Sequence, residues 1–314
     1  MNRRAACIAI SLWGMAIGGA FEGHFPETRN DDSMLQTIRS KADSPTARGS
    51  FPPMTLKDAR DDIPVKDHGK LSLFILAGQS NMSGRGEYIP DQPPNPRIFL
   101  FGNDYHWKLA AEPIDDSENQ VDEISIDSNP GFSLGLAFAT SLLSEEPDLV
   151  IGLIPCAKGG SSIEQWQRNL SDKSLYGSCL KRARAASVMG EIAGLLFFQG
   201  ESDALDPIQY PQKAPAASNY AAKFSAFVTE IRRDLCLPEL PVVFAQIGNT
   251  KKPDIHINWK LVKEQQASVN LPRCTMVTTD DLPLKDAVHF TTESYKIIGK
   301  RFADAFLRLA FPKK

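Results

Sequence analysis

Residues 71–86 read LSLFILAGQSNMSGRG, and this run restricts the fold of the chain more than any other. Leu71, Leu73, Phe74, Ile75 and Leu76 form an apolar, β-prone stretch that stops at Gly78. Ser80 follows two residues later, and residues 81–86 are polar and rich in glycine. A strand that ends in a tight turn presents a hydroxyl at the carboxyl edge of a sheet, where open α/β folds put their chemistry. A plain strand–turn–helix junction holding a serine has the same composition, so Ser80 needs partners elsewhere before it reads as a nucleophile.

Strand-like and helix-like segments alternate after this run. Residues 149–155 and 192–198 are continuous apolar runs, as in strands covered on both faces, and 241–247 and 275–278 are also strand-like. Between them, residues 132–143, 175–188, 220–235, 260–269 and 292–309 read as helices; the first has a start signal at Asn129-Pro130. An irregular stretch over 87–130 holds a short apolar run at 97–101 and an acidic patch at 115–127. Strands separated by helices imply an α/β fold with a parallel sheet layered between helices. A chain of 314 residues can bury one large core, or at most two modest ones. The folded domain is expected over 71–314, behind a polar, flexible leader over 21–70.

The formal charge of −3 offers no basic surface, which argues against nucleic acid or an anionic membrane as a partner. At the N-terminus, Arg3 and Arg4 precede a charge-free stretch over 5–21 containing Gly18-Gly19-Ala20. A positive flank, a short apolar core and a small-residue exit describe a secretory signal peptide over 1–20. The expectation is therefore a secreted or periplasmic protein, with no membrane attachment once the signal is removed. Cys156, Cys179, Cys236 and Cys274 are scattered with no CxxC pair, so neither metal-ligand spacing nor a unique disulfide pairing can be read.

A serine hydroxyl needs a positioned base, usually a histidine held by a carboxylate. Of five histidines, His289 stands out: Asp286-Ala287-Val288-His289 lies between the last strand and the final helix. Three residues on a turn let the aspartate reach Nδ1 and leave Nε2 for the serine. Acyl transfer also needs donors aimed at the developing oxyanion. Gly159-Gly160-Ser161-Ser162 follows the second core strand and could supply backbone N–H groups. Gln199-Gly200-Glu201-Ser202 follows the third, with a side-chain amide in Gln199 and a carboxylate in Glu201. Each of these turns has a bland reading alone; four on one sheet edge do not.

Gly78-Gln79-Ser80-Asn81-Met82, residues 159–166, Gln199-Gly200-Glu201-Ser202-Asp203 and the Asp286/His289 pair together resemble the SGNH-type carbohydrate esterases, specifically their sialate O-acetylesterase-like branch. The likeness runs over about residues 71–309 in the right order. It implies a flavodoxin-like three-layer α/β/α sandwich and a serine hydrolase of acetylated carbohydrates that uses no metal or cofactor. Carried onto this chain, Ser80 is the nucleophile, His289 the base and Asp286 its orienting acid, with Glu201 as the rival acid. The resemblance assigns the oxyanion hole to the Ser80 and Gly160 N–H groups and the Gln199 amide. Asn81 and Trp166, with Trp107 and Tyr105, are candidates to contact the sugar. Two other readings remain open on sequence: a lipase or thioesterase on the same scaffold, and a non-catalytic carbohydrate-binding module.

Overall fold

The computed structural model describes residues 63–89, 93–211 and 217–311. The expected signal peptide and the leader up to residue 62 lie outside the described residues. The end of the leader, 63–70, is described, and of these residues Ile63 alone is buried. It joins the core, and Val65–Asp67 forms a 3-10 turn, so regular structure is present ahead of Leu71.

The sheet is centred on β1 (Leu71–Gly78), whose apolar run buries both faces. It pairs in parallel with β4 (Ile151–Pro155), from Ser72↔Ile151 to Leu76↔Pro155. On its other side it pairs in parallel with β5 (Gly190–Phe198), ending at Gly78↔Phe198. β2 (Ile98–Phe101) extends the sheet beyond β4, while β6 (Val242–Ala245) and β7 (Cys274–Val277) extend it beyond β5, all parallel. The exception is β3 (Trp107–Leu109), which runs antiparallel to β2 at one edge of the seven-stranded sheet. The strand order is β3-β2-β4-β1-β5-β6-β7. The winding reverses between β1 and β5, and open α/β sheets hold their ligands at the carboxyl ends of strands flanking such a reversal.

Helices cover both faces, giving the expected three-layer sandwich. Phe74 of β1 meets Phe138 of α2 (Gly135–Glu145) and Phe306 of α6 (Thr292–Ala310), with ring centroids 4.9 and 5.0 Å apart. α6 buries Tyr295, Ile298, Phe302 and Phe306, the stripe its periodicity requires, and Thr291 caps it by accepting from the Ser294 N–H. On the opposite face, Phe197 of β5 and Phe244 of β6 pack against Phe224 of α4 (Tyr220–Asp234). α3 (Leu175–Ala186) joins this layer through the Tyr176–Phe227 contact. α5 (Trp259–Ala267) joins it through Gln266, which donates to Gln199 O and accepts from the Ile247 N–H. Cys156, Cys179, Cys236 and Cys274 are free thiols. Among the described residues, no helix is long and apolar enough to cross a membrane.

Candidate active site

The turn that carries Ser80 is shaped by Gly78. Its φ of +139° suits glycine, and a Cβ there would stand 2.1 Å from the Phe198 carbonyl oxygen across the β1–β5 seam. The Gln79 N–H donates to that same oxygen at 2.8 Å. The chain then makes one helical turn, α1 (Ser80–Ser83), in which the Met82 and Ser83 N–H groups donate to Gln79 O. The Ser80 N–H, first in this turn, has no intrahelical acceptor.

The second component is the loop after β7. Leu284 pairs with Phe290, and the Lys285 N–H donates to His289 O at 2.7 Å, so the loop closes on itself. Within it, Asp286 Oδ1 accepts from the N–H groups of Val288 (3.1 Å) and His289 (2.9 Å), while Oδ2 lies 2.8 Å from His289 Nδ1. His289 Nε2 lies 2.9 Å from Ser80 Oγ. Burial works to raise the Asp286 carboxyl, but hydrogen bonds from the His289 N–H and ring and the Val288 N–H outweigh it. The group is held below the usual carboxylate range. An ionised Asp286 keeps the proton on Nδ1, which leaves the Nε2 lone pair facing the serine hydroxyl.

The other turns interlock around this pair. Gln79 Oε1 accepts from the Gly200 and Ser202 N–H groups at 3.3 Å, joining the ends of β1 and β5. The Lys158 N–H and the Ser161 hydroxyl both donate to Gly78 O, which holds the turn after β4 against β1. Gly160, in that turn, takes a φ of +71°.

Six expected site residues have other surroundings. Gln199 is fully buried, and its Nε2 faces Ser161 O at 2.9 Å, the Asp203 carboxylate and Gln79 Oε1. Two N–H bonds shared among three internal acceptors leave none for an oxyanion, so Gln199 braces the turns rather than meeting substrate. Trp166 is fully buried against Phe197 and Phe227, with its Nε1 donating to Ser161 Oγ; it is core and offers no face to a sugar. Asn81 is also fully buried. Its Nδ2 donates to Glu201 Oε1 and to Val288 O at 3.1 Å, and its Oδ1 accepts from the Tyr295 hydroxyl at 2.7 Å. Glu201 turns its carboxylate to Asn81, and burial pushes it up to about 7. Tyr105 and Trp107 are buried beside Phe101 and likewise do not form a sugar-facing surface.

Arg85 and Asp127 had no signal at the level of spacing. Arg85 Nη2 lies 2.8 Å from both Asp127 oxygens, and Asp127 Oδ2 also accepts from Ser83 Oγ (2.7 Å) and the Gly159 N–H (3.0 Å). One carboxylate thus ties the helical turn that starts at Ser80 to the glycine turn after β4. The acidic patch in the irregular stretch pointed to the region but not to this member of it. Among the described residues, no group of three or more His, Cys, Asp or Glu side chains could hold a metal ion.

The sequence matches the family described as carbohydrate esterase, sialic acid-specific acetylesterase, over residues 70–308. It is 33% identical over 256 residues to a probable carbohydrate esterase of Arabidopsis thaliana, spanning 75% of this chain and 90% of that one. A solved structure of an Arabidopsis thaliana protein superposes with a TM-score of 0.63 at 32% identity, covering 75% of this chain and 97% of the other. A carbohydrate acetylesterase from Xanthomonas citri shares the fold, with a TM-score of 0.58 at 20% identity over 77% of this chain and 57% of that one.

Proposed function

The chain belongs to the sialic acid-specific acetylesterase family of carbohydrate esterases, and from that premise we propose that it removes acetyl or similarly small acyl groups from carbohydrates through Ser80, His289 and Asp286. Ser80 Oγ attacks the ester carbonyl while His289 Nε2 takes its proton, and the imidazolium so formed is stabilised by Asp286. The oxyanion is received by backbone N–H groups of Ser80 and Gly160. Collapse expels the sugar hydroxyl, which takes the proton from His289, and leaves an acetyl-Ser80. Water, deprotonated by the same imidazole, then releases acetate and restores the serine.

The observation that carries this reading is the unbroken series of contacts from Asp286 Oδ2 to His289 Nδ1 (2.8 Å) and from His289 Nε2 to Ser80 Oγ (2.9 Å). Both distances fall within the reach that proton transfer requires. Ser80→Ala is expected to abolish turnover of an aryl acetate and labelling by a fluorophosphonate while the circular dichroism spectrum stays unchanged. Turnover at the wild-type rate in the purified variant would end the proposal. Acetate release from acetylated xylan, pectin, sialic acid and chitin fragments identifies the sugar, and preference for long-chain esters would move the enzyme to the lipases. Export through the N-terminal segment belongs to the same proposal, and N-terminal sequencing of the mature protein tests it.

A further inference from the structure

Catalysis makes and breaks the Ser80–His289 hydrogen bond in every cycle, so that bond cannot also hold the two parts at a fixed distance. A contact that does not react has to do so. Asn81 supplies one. It is the residue after the nucleophile, and it donates to the carbonyl of Val288, the residue before the base. On resting Ser80–His289 chemistry as read above, we infer that Asn81 is a strut setting the gap between the nucleophile turn and the histidine loop, and that Glu201 is a positioning residue for this strut and not the acid of the triad.

The orientation of the amide is forced by its partners. The Val288 carbonyl and the Glu201 oxygen facing Asn81 accept, so both must face the NH2 group. The Tyr295 hydroxyl then donates to Oδ1 at 2.7 Å. Three elements therefore converge on one buried side chain: the turn after β5 through Glu201, the histidine loop through Val288, and α6 through Tyr295. With both N–H bonds and the carbonyl engaged in the core, the amide has no alternative rotamer that keeps its partners.

Glu201 is placed for this task and not for orienting the base. Its Oε1 is engaged by Asn81, and its Oε2 is buried without a hydrogen-bond partner. The ring nitrogen that a triad acid must hold is already met by Asp286. Burial raising Glu201 to about 7 also fits an acceptor that needs no charge better than one that must stabilise an imidazolium.

The test compares kcat, KM and the pH profile of aryl acetate hydrolysis in the full chain and six variants. A displacement of about 1 Å at a reacting pair costs on the order of 100-fold. Asn81→Ala is therefore expected to lower kcat by about 10- to 100-fold. Its KM should change little and its pH profile should keep its midpoint, because Asp286 and His289 are intact. Glu201→Ala should match it, and combining the two should add nothing, as expected for members of one contact. Glu201→Gln, whose amide oxygen can still accept from Asn81, should restore near wild-type kcat. Asp286→Asn should fall by about 10⁴-fold, the cost of the wrong imidazole tautomer. Loss in Glu201→Gln as deep as in Asp286→Asn would make Glu201 the triad acid and overturn the inference. So would wild-type kcat in Asn81→Ala. Should Asn81→Ala fail to fold, the contrast between Glu201→Gln and Glu201→Ala decides alone. Activity surviving in Ser80→Ala would instead remove the functional reading beneath it.

Discussion

At His289 a single carboxylate three residues back does two jobs. One Asp286 oxygen accepts two backbone N–H groups and shapes the loop, and the other holds the imidazole. Because both jobs are local, the pair can be read from spacing alone. Trp166 is the opposite case. In sequence it follows a glycine turn, where an aromatic face could meet a sugar, yet long-range packing against Phe197 and Phe227 buries it completely. The consequence separates a core role from a binding role. Trp166→Ala is expected to cost about 3–5 kcal/mol of stability, the range for removing a large aromatic from a packed core. Its KM for a carbohydrate ester, measured on the folded protein, should not change. A raised KM with an unshifted denaturation midpoint would return Trp166 to the binding surface.

The elements themselves were legible because periodicity reports burial. The apolar runs at β1, β4 and β5 and the helical stripe of α6 fall where the pattern put them. The edge strand β3 was not legible. Three residues, Trp107–Leu109, carry too little pattern, and their strand state is set by pairing with β2. Side-chain roles at the site were less legible than strand ends, since Gln199 and Asn81 look like substrate donors until the fold shows what surrounds them. The same limit hid Asp127, which lies 42 residues from its partner Arg85 in sequence. The Asp127 side chain is 3% exposed and that of Arg85 12%, so the pair is largely out of water. Breaking such a pair leaves an uncompensated charge, and Asp127→Ala is expected to cost about 3 kcal/mol. Replacing both with apolar residues, Arg85→Met with Asp127→Leu, should restore most of that stability without restoring kcat, because the tie to the Gly159 N–H stays lost. Recovery of both together in a denaturation and kinetic comparison would show that Asp127 does not position the glycine turn.

The whole molecule carries a pH signature that its net charge does not reveal. Burial pushes Glu112, Asp115 and Glu201 each up to about 7. In the folded chain these groups keep their protons up to that pH, whereas in the unfolded chain they ionise near the ordinary carboxylate value of about 4. Between those limits the unfolded state binds fewer protons than the folded state, so stability falls as pH rises. Asp122, Asp127 and Asp286 are shifted the other way, and their stabilisation is lost only on acidification below the ordinary carboxylate value. Burial also lowers His256, which makes stability rise with pH up to about 6.5, but this is one group against three. The melting temperature is therefore expected to drop from pH 5 to pH 7.5. Glu112 allows the cause to be isolated, because it lies outside the candidate site and accepts from the Ile114 and Ser133 N–H groups and the Ser133 hydroxyl. Glu112→Gln keeps an acceptor there and removes the titration, so its melting temperature should fall less steeply over the same range. A wild-type melting temperature that climbs from pH 5 to 7.5, or an identical slope in Glu112→Gln, would mean that these carboxyls are not protonated in the folded enzyme.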